Sequence, residues 1–187
     1  PLNLGTDRYE VSLAFDGFIP NSKGRLVEEV FGDILFRRFK QQKNVHESLY
    51  ETMKELSDAY YSLVMAFHDT EKGMSELIAA RDIRGIRPLY MAWNSEELFL
   101  SSESAPIDVL ESMGEPIDGR KDLEPGSVII RSSEGLVEKK VLEPRPAHCA
   151  FEWVYFGRPD SVIERKSVHS VRKRLGHGLV EAHSLRR

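Results

Sequence analysis

Apolar residues recur along the chain at two spacings, which predict helices toward both ends and strands between them. Residues 11–15 form a short apolar run that ends at Asp16-Gly17, a pair typical of a turn. Two sets at helical spacing follow, and each predicts an amphipathic helix: Leu26, Val30, Phe31, Ile34 and Leu35, then Val45, Leu49, Met53 and Leu56. Because Gly32-Asp33 falls inside the first set, we expect that helix to be interrupted there.

The middle of the chain predicts antiparallel sheet. Residues 59–68 and 77–80 flank a polar turn, and residues 89–93 and 97–100 flank Asn94-Ser95, so each pair predicts a hairpin. A short helix over 105–113 ends at Gly114, and Glu124-Pro125-Gly126 predicts a type II turn before strands over 128–130 and 136–141. A last amphipathic helix is marked by Val168, Val171, Leu175 and Leu179. The pattern is typical of an α+β fold.

Composition narrows the class of protein. The 187 residues, 41% apolar and 30% charged, suit one ordinary domain with a hydrophobic core. A net charge of −4 disfavours binding to nucleic acid or to an anionic membrane. No apolar run approaches the ~20 residues of a membrane-spanning helix, and residues 1–20 lack the regions of a signal peptide, so we expect a cytoplasmic protein.

Four segments carry a family resemblance. Residues 81–90 read Arg-Asp-Ile-Arg-Gly-Ile-Arg-Pro-Leu-Tyr and resemble the RDxxGIRPLY stretch of glutamine amidotransferases with an N-terminal nucleophile. In the same order follow SSESA at 101–105, DLEPG at 122–126 and FEWVYFGRPDS at 151–161. Together they resemble the amidophosphoribosyltransferase family, over nearly the whole chain. The first stretch would also fit an asparagine synthetase or a hexosamine-forming amidotransferase, but residues 151–161 argue against both.

The resemblance implies a four-layer αββα sandwich of two antiparallel sheets, of the N-terminal nucleophile hydrolase type, lacking its first strands. It implies a partial glutaminase domain over residues 1–165 and a helix over 166–187 that leads toward an absent phosphoribosyltransferase domain. In this family, glutamine supplies ammonia to phosphoribosyl pyrophosphate to make phosphoribosylamine in purine synthesis. The implied partners are glutamine and a phosphoribosyltransferase domain or subunit, within a homo-oligomer, and neither nucleic acid nor membrane.

The family's nucleophile has no counterpart in the sequence. An N-terminal cysteine attacks the side-chain amide of glutamine and forms a thioester in these enzymes. Here residue 1 is Pro1, and Pro1-Leu2 aligns with a segment that follows that cysteine. The resemblance therefore implies either a piece of a normal enzyme or a paralogue without glutaminase activity. We expect these 187 residues alone not to hydrolyse glutamine.

Residues 15–21 stand where the family has His-Asn-Gly-Asn-Leu-Thr-Asn, whose asparagine amide and glycine N–H donate to the oxyanion of the reaction. By this resemblance Gly17 keeps the backbone donor, whereas Asp16 places a carboxylate where the family has a neutral donor. An ionised carboxylate only accepts hydrogen bonds and repels an oxyanion. Asp16 therefore favours a second hypothesis, a non-catalytic regulatory or partner-binding domain. The plain alternative is that Asp16-Gly17 forms a turn after a strand.

Other positions carry roles only through the resemblance. Asp33 stands near an aspartate that binds the α-ammonium of glutamine, although the Thr-Glu that follows it in the family is missing; the alternative is that Asp33 caps a helix beginning at Ile34. Arg158, Asp160 and Ser161 resemble the interdomain loop, where the alternative is an ion pair that closes a turn. Two basic groups are interpreted as structural or solvated: Arg81, Asp82, Arg84 and Arg87, and Arg172-Lys173-Arg174.

No cofactor is expected within this chain. Mg²⁺ would belong to the absent transferase domain. Cys149 aligns with a position that is an iron–sulfur ligand in some members, but a cluster needs three further cysteines and the sequence has one, so we expect a buried, unreactive thiol. The six histidines lack metal-ligand spacing, and no metal site is predicted.

Overall fold

The computed structural model describes residues 2–5 and 8–183. Pro1, and residues 184–187 at the end of the predicted segment 166–187, lie outside them. The helices are α1 (Val27–Gln42), α2 (Val45–Glu55), α3 (Ala105–Ser112) and α4 (Val168–Ala182), with a π-helical turn at Glu152–Phe156. The strands are β1 (Leu2–Gly5), β2 (Tyr9–Phe18), β3 (Tyr60–Asp69), β4 (Met74–Arg81), β5 (Tyr90–Trp93), β6 (Leu98–Ser101), β7 (Gly119–Asp122), β8 (Ser127–Ser132), β9 (Gly135–Lys140), β10 (Val162–Ile163) and β11 (Lys166–Ser167).

The chain divides into two compact units. The first comprises the chain up to Arg87 together with Leu123–His148, and it holds an antiparallel sheet in the order β1-β2-β3-β4-β8-β9 with α1 and α2. The second comprises Pro88–Asp122 and Cys149–Arg187, and it holds a sheet in the order β6-β5-β7 with α3 and α4. The predicted α+β class is confirmed. None of the helices in the described part of the chain is both long and apolar enough to cross a membrane.

The core of the first unit lies between α1, α2 and one face of its sheet. Side chains alternate between the two faces of a strand, so Leu13 and Phe15 face this core while Asp16 lies on the opposite face. The fully buried members include Leu13, Phe31, Leu49, Met53, Tyr61, Leu63, Met65 and Ile78. Burying such a side chain stabilises the fold by about 1.5–3 kcal/mol, so the predicted apolar faces account for the position of both helices. The inclusion of Leu26 in the first face is wrong, since it lies before α1 and is 66% exposed.

Helix α1 runs unbroken through Gly32 and Asp33, and the predicted interruption is wrong. A glycine inside a helix costs about 1 kcal/mol relative to alanine. Phe31 and Leu35, one turn apart, are both buried against the core, and their burial outweighs that cost. Because Asp33 lies mid-helix, the alternative that it caps a helix starting at Ile34 is also wrong.

The hairpins of both units confirm the sequence pattern, as does the turn before β8. Gly126 has φ of 77°, and the Ser127 N–H donates to the Glu124 carbonyl at 3.2 Å, as a type II turn requires. Asn94 closes the β5–β6 hairpin, since its side-chain oxygen accepts from the backbone N–H groups of Glu96 and Glu97 at 2.9 and 2.6 Å. Strands β1, β7, β10 and β11 and the π-helical turn were not predicted.

Helix α4 packs on the π-helical turn around Trp153, Ile163 and Val168. The Arg172 guanidinium donates to the carbonyl oxygens of Trp153 and Gly157 at 2.8 and 2.7 Å, which gives the end of the π-helical turn its partners. The predicted solvated face therefore holds for Lys173 and Arg174, which are exposed, and is wrong for half-buried Arg172.

Candidate functional site

Asp16 and Gly17 lie inside β2, so the alternative that they form a turn is wrong. Asp16 is paired with Ser62 of β3, and Gly17 with Tyr61. A Cβ atom at residue 17 would collide with the Tyr60 carbonyl oxygen and stand 2.7 Å from the Tyr61 Cα, so the close approach of the two backbones requires glycine. Long pairing with β3 outweighs the local turn tendency of Asp-Gly.

The backbone of Gly17 points away from β3. Tyr61 directs both of its main-chain groups toward β4: its N–H donates to the Asp82 carboxylate, and its carbonyl accepts from the Asp82 N–H, both at 3.0 Å. In an antiparallel ladder the pair Gly17–Tyr61 is then not hydrogen-bonded, and the Gly17 N–H faces the other edge of β2. The described part of β1 ends opposite Leu13, before it reaches Gly17. The N–H of Gly17 thus has the orientation of a donor at the sheet edge.

The Asp16 carboxylate faces a cation. Its Oδ2 lies 3.4 Å from Arg87 Nε, and the Asp16 side chain is 66% exposed. Exposed ion pairs stabilise a fold by at most about 1 kcal/mol, so the pair matters less for stability than for the charge it places beside Gly17. Sequence reasoning had identified Asp16 but not its partner.

Arg81 is a buried cation held by main-chain oxygens. Its side chain donates from Nε to Arg87 O, from Nη1 to Leu123 O and from Nη2 to Gly85 O, each at 2.8 Å. The residue is 1% exposed. Burying a charge requires such hydrogen bonds, and here they tie β4 to the loop before β5 and to the segment before β8. The interpretation of Arg81 as structural is confirmed.

Asp82 organises the same loop. Its Oδ1 accepts from the N–H groups of Arg84 and Gly85 at 2.6 and 3.1 Å, and its Oδ2 accepts from Tyr61. Desolvation by burial raises the pKa of this carboxyl above its usual range, although the backbone donors and Arg81 act in the opposite direction. Asp82 therefore holds Tyr61, which lies opposite Gly17.

Asp33 lies on α1 with its side chain 63% exposed, and it accepts a hydrogen bond from Arg25 at 2.6 Å. The partner is in the loop that precedes α1. The Asp33 carboxylate is accessible, and its role in binding glutamine stays a prediction.

The loop with Arg158, Asp160 and Ser161 is fixed by the SSESA segment of the same unit. Glu103 Oε2 accepts from the Arg158 backbone N–H at 2.8 Å and from the Ser161 hydroxyl at 2.6 Å. Arg158 and Asp160 form a bidentate, exposed ion pair, and Arg158 holds the pKa of the Asp160 carboxyl below its usual range by hydrogen bonding. An ion pair does close this turn; the interdomain role stays a prediction. Glu103 was missed because its partners lie 55 and 58 residues away.

Cys149 is half-buried, so the prediction of a buried thiol is wrong, and its unreactive character stays a prediction. Within the described ranges, no group of three or more His, Cys, Asp or Glu side chains could hold a metal ion. His46 instead pairs with the buried Glu76 at 2.8 Å, an interaction that the histidine spacing did not reveal.

No family model matches the chain. The chain is 34% identical over 171 residues to an amidophosphoribosyltransferase of Methanocaldococcus jannaschii, a match that covers 83% of this chain and 34% of the relative. Another, from Pyrococcus horikoshii, is 31% identical over 191 aligned positions, covering 94% of this chain and 39% of the relative. The chain belongs to the amidophosphoribosyltransferase family. It spans between about a third and two fifths of the length of these curated relatives.

Solved structures agree on the fold. A structure described as the allosteric regulatory enzyme of purine biosynthesis matches with a TM-score of 0.79 at 24% identity, covering 97% of this chain and 40% of its own. The glutamine phosphoribosylpyrophosphate amidotransferase from B. subtilis, complexed with ADP and GMP, matches with a TM-score of 0.78 at 23% identity, over 97% of this chain and 40% of its own. The predicted N-terminal nucleophile hydrolase type of fold is confirmed. Within the amidophosphoribosyltransferase family, the chain corresponds to the glutamine amidotransferase region.

Proposed function

We propose that this chain is the glutaminase part of an amidophosphoribosyltransferase that makes phosphoribosylamine. In that reaction a cysteine thiolate adds to the amide carbon of glutamine, ammonia leaves, and water hydrolyses the resulting thioester to glutamate. The ammonia then displaces pyrophosphate from phosphoribosyl pyrophosphate. The family match over 83% of the chain carries the proposal.

The orientation of Gly17 supports this function. The addition step develops negative charge on the amide oxygen, and a fixed backbone N–H is the kind of donor that stabilises such a charge. Gly17 directs its N–H to the side of β2 that faces away from β3, and Tyr61 and Asp82 hold the strand beside it. Asp33 is proposed to bind the α-ammonium of glutamine by a charge-assisted hydrogen bond.

Asp16 favours a second candidate function, a regulatory or partner-binding domain without glutaminase activity. The Asp16 carboxylate supplies no donor, and removal of one oxyanion donor commonly lowers turnover by about 10²- to 10³-fold. The nearby Arg87 guanidinium, 3.4 Å from Asp16, offsets the charge of the carboxylate but leaves it in the donor's place.

The exposed apolar surface around the π-helical turn favours contact with a further protein domain or subunit. Phe151, Val154, Tyr155 and Phe156 are all at least half exposed. Clustered exposed apolar side chains mark protein interfaces, and we propose that this surface, with the exposed Arg158 and Asp160, contacts a phosphoribosyltransferase domain or subunit in a homo-oligomer. Ser161 is 1% exposed, so its proposed part in the interdomain loop is to hold the loop through Glu103. We likewise propose that the glutaminase domain ends near residue 165 and that the following helix leads toward the phosphoribosyltransferase domain.

One experiment separates the two functions. The full-length natural protein is assayed for phosphoribosylamine formation with phosphoribosyl pyrophosphate and either glutamine or ammonium chloride. The glutaminase proposal expects product with glutamine and stoichiometric glutamate. Product with ammonium chloride alone would support the second function, and product with neither would contradict the glutaminase proposal.

A further inference from the structure

A cleft lies at the other end of β2 from Asp16. It has a volume of about 330 Å³, at the lower end of the range of small-molecule sites. The start of β2, the end of β3, the start of β4 and the junction of α1 with α2 enclose it. Its lining includes Tyr9, Phe39, Lys43, His46, Lys72 and Glu76. None of these residues belongs to the proposed glutaminase site.

The inner end of the cleft is apolar. A small chamber of about 30 Å³ shares the side chains of Tyr9, Phe39, Val45 and Phe67 with the cleft, and only apolar surface lines it. The three aromatic rings contact one another, with the Tyr9 centroid 4.8 Å from that of Phe39 and 5.8 Å from that of Phe67. Space of this kind stays dry and accepts hydrocarbon groups.

One polar group is built into the wall. Glu76 is paired with Phe67 across β3 and β4, so both side chains lie on the face of the sheet toward the helices. The Glu76 side chain is 5% exposed, and its Oε2 lies 2.8 Å from His46 Nε2 at the start of α2. This contact fixes the imidazole at the border between the apolar chamber and the rim.

The rim carries an arginine that is held in ion pairs and, within the described part of the chain, two lysines that are not. Arg8 is already paired with Asp69 and Glu71, at 3.0 and 2.5 Å. Lys43 and Lys72 also line the cleft, and within the described residues neither forms an ion pair. The two lysines are exposed, so they can reach a charged group held at the mouth of the cleft.

We propose that this cleft binds a small apolar anion, a compact hydrocarbon or aromatic body with one carboxylate or phosphate group. The body occupies the space lined by Tyr9, Phe39 and Phe67, and the anionic group contacts Lys43 and Lys72. Aryl carboxylates and aryl phosphates both combine an apolar body with one anionic group, and the experiment below distinguishes them.

The test is saturation-transfer difference NMR on the purified protein, with benzoate, phenyl phosphate and neutral benzamide as probes. We expect transfer to the ring protons of at least one of the two anions and none to benzamide at the same concentration. The anion with the lower dissociation constant identifies the head group. Transfer to all three probes alike, or to none, would overturn the proposal.

Three variants test where the anion binds. The double variant Lys43→Glu and Lys72→Glu is expected to raise the dissociation constant at least about tenfold, because charge-assisted contacts are lost. Lys23→Glu is the matched control, since Lys23 is exposed, lies outside the cleft and has φ of 54°, close to the 52° of Lys43. An equal effect of Lys23→Glu would place the anion elsewhere. Val45→Leu, which narrows the chamber, should weaken binding while the melting temperature stays within a few degrees.

Discussion

Arg87 lies beside Asp16 because its main chain is anchored independently of the ion pair. The Arg87 carbonyl accepts from Arg81 Nε at 2.8 Å and from the Ser62 hydroxyl at 3.0 Å, while Arg87 Nε stands 3.4 Å from Asp16 Oδ2. Ser62 is in turn paired with Asp16 across β2 and β3. The motif at residues 81–90 thus fixes both the backbone opposite Gly17 and the counter-charge of Asp16.

Asp16→Asn is expected to raise glutamine-dependent activity of the full-length protein. The amide supplies the neutral donor that the family has at this position, and gaining one oxyanion donor corresponds to about 10²-fold in turnover. Glutamate release is the measurement. Glu10→Gln is the control, because Glu10 is exposed on the same face of β2, six residues earlier, and loses the same charge. No rise with Asp16→Asn would show that the carboxylate does not limit the reaction.

Arg81→Lys is expected to destabilise the fold by about 3 kcal/mol or more. A lysine keeps the charge but cannot reach three carbonyl oxygens in the plane of a guanidinium, so buried acceptors lose their donors. Urea unfolding measures the change. Arg84→Lys is the control, because its side chain is a third exposed and contacts the carbonyl of Asp58. Equal losses for the two variants would contradict the structural role assigned to Arg81.

Asp82→Asn is expected to lower the free energy of unfolding by about 1–3 kcal/mol. Removing the charge of Asp82 relieves the cost of its desolvation. However, the amide accepts hydrogen bonds on one oxygen only. Its NH₂ group would then face either the N–H of Tyr61 or the N–H groups of Arg84 and Gly85. Asp58→Asn is the control, at a side chain that is 92% exposed. A stabilised Asp82→Asn protein would mean that desolvation outweighs the three hydrogen bonds.

Sequence patterns predicted the elements that depend on neighbours along the chain. The helices containing Phe31 and Leu49, the Asn94 hairpin and the Gly126 turn follow from spacing and from turn-forming residues. The features that the sequence did not predict depend on backbone pairing between residues far apart along the chain. The Asp16-Gly17 pair has local turn chemistry, and only its pairing with Ser62 and Tyr61, more than 40 residues later, makes it strand.

The residues of the candidate site also separate into those that the sequence identified and those that only the folded chain reveals. The resemblance identified Asp16, Gly17 and Asp33 as positions of interest, because motifs preserve order along the chain. The counter-charge from Arg87 and the carboxylate anchor at Glu103 arise from pairs that only the folded chain brings together. Paired charges far apart in sequence leave no periodic signal.

The acid stability of the first unit is expected to depend on Asp69. Hydrogen bonds from Arg8, and from the backbone N–H groups of Lys72 and Glu71, hold the pKa of this buried carboxyl below its ordinary value of about 3.9. A carboxyl whose pKa is lower in the folded state contributes stability above its unfolded pKa and loses it as pH falls through the folded one. Unfolding by urea between about pH 5 and pH 2.5 should therefore show a steeper acid loss for the natural protein than for Asp69→Asn. Asp58→Asn should keep the natural slope, and parallel curves for the natural and Asp69→Asn proteins would refute this role for the Arg8–Asp69 pair.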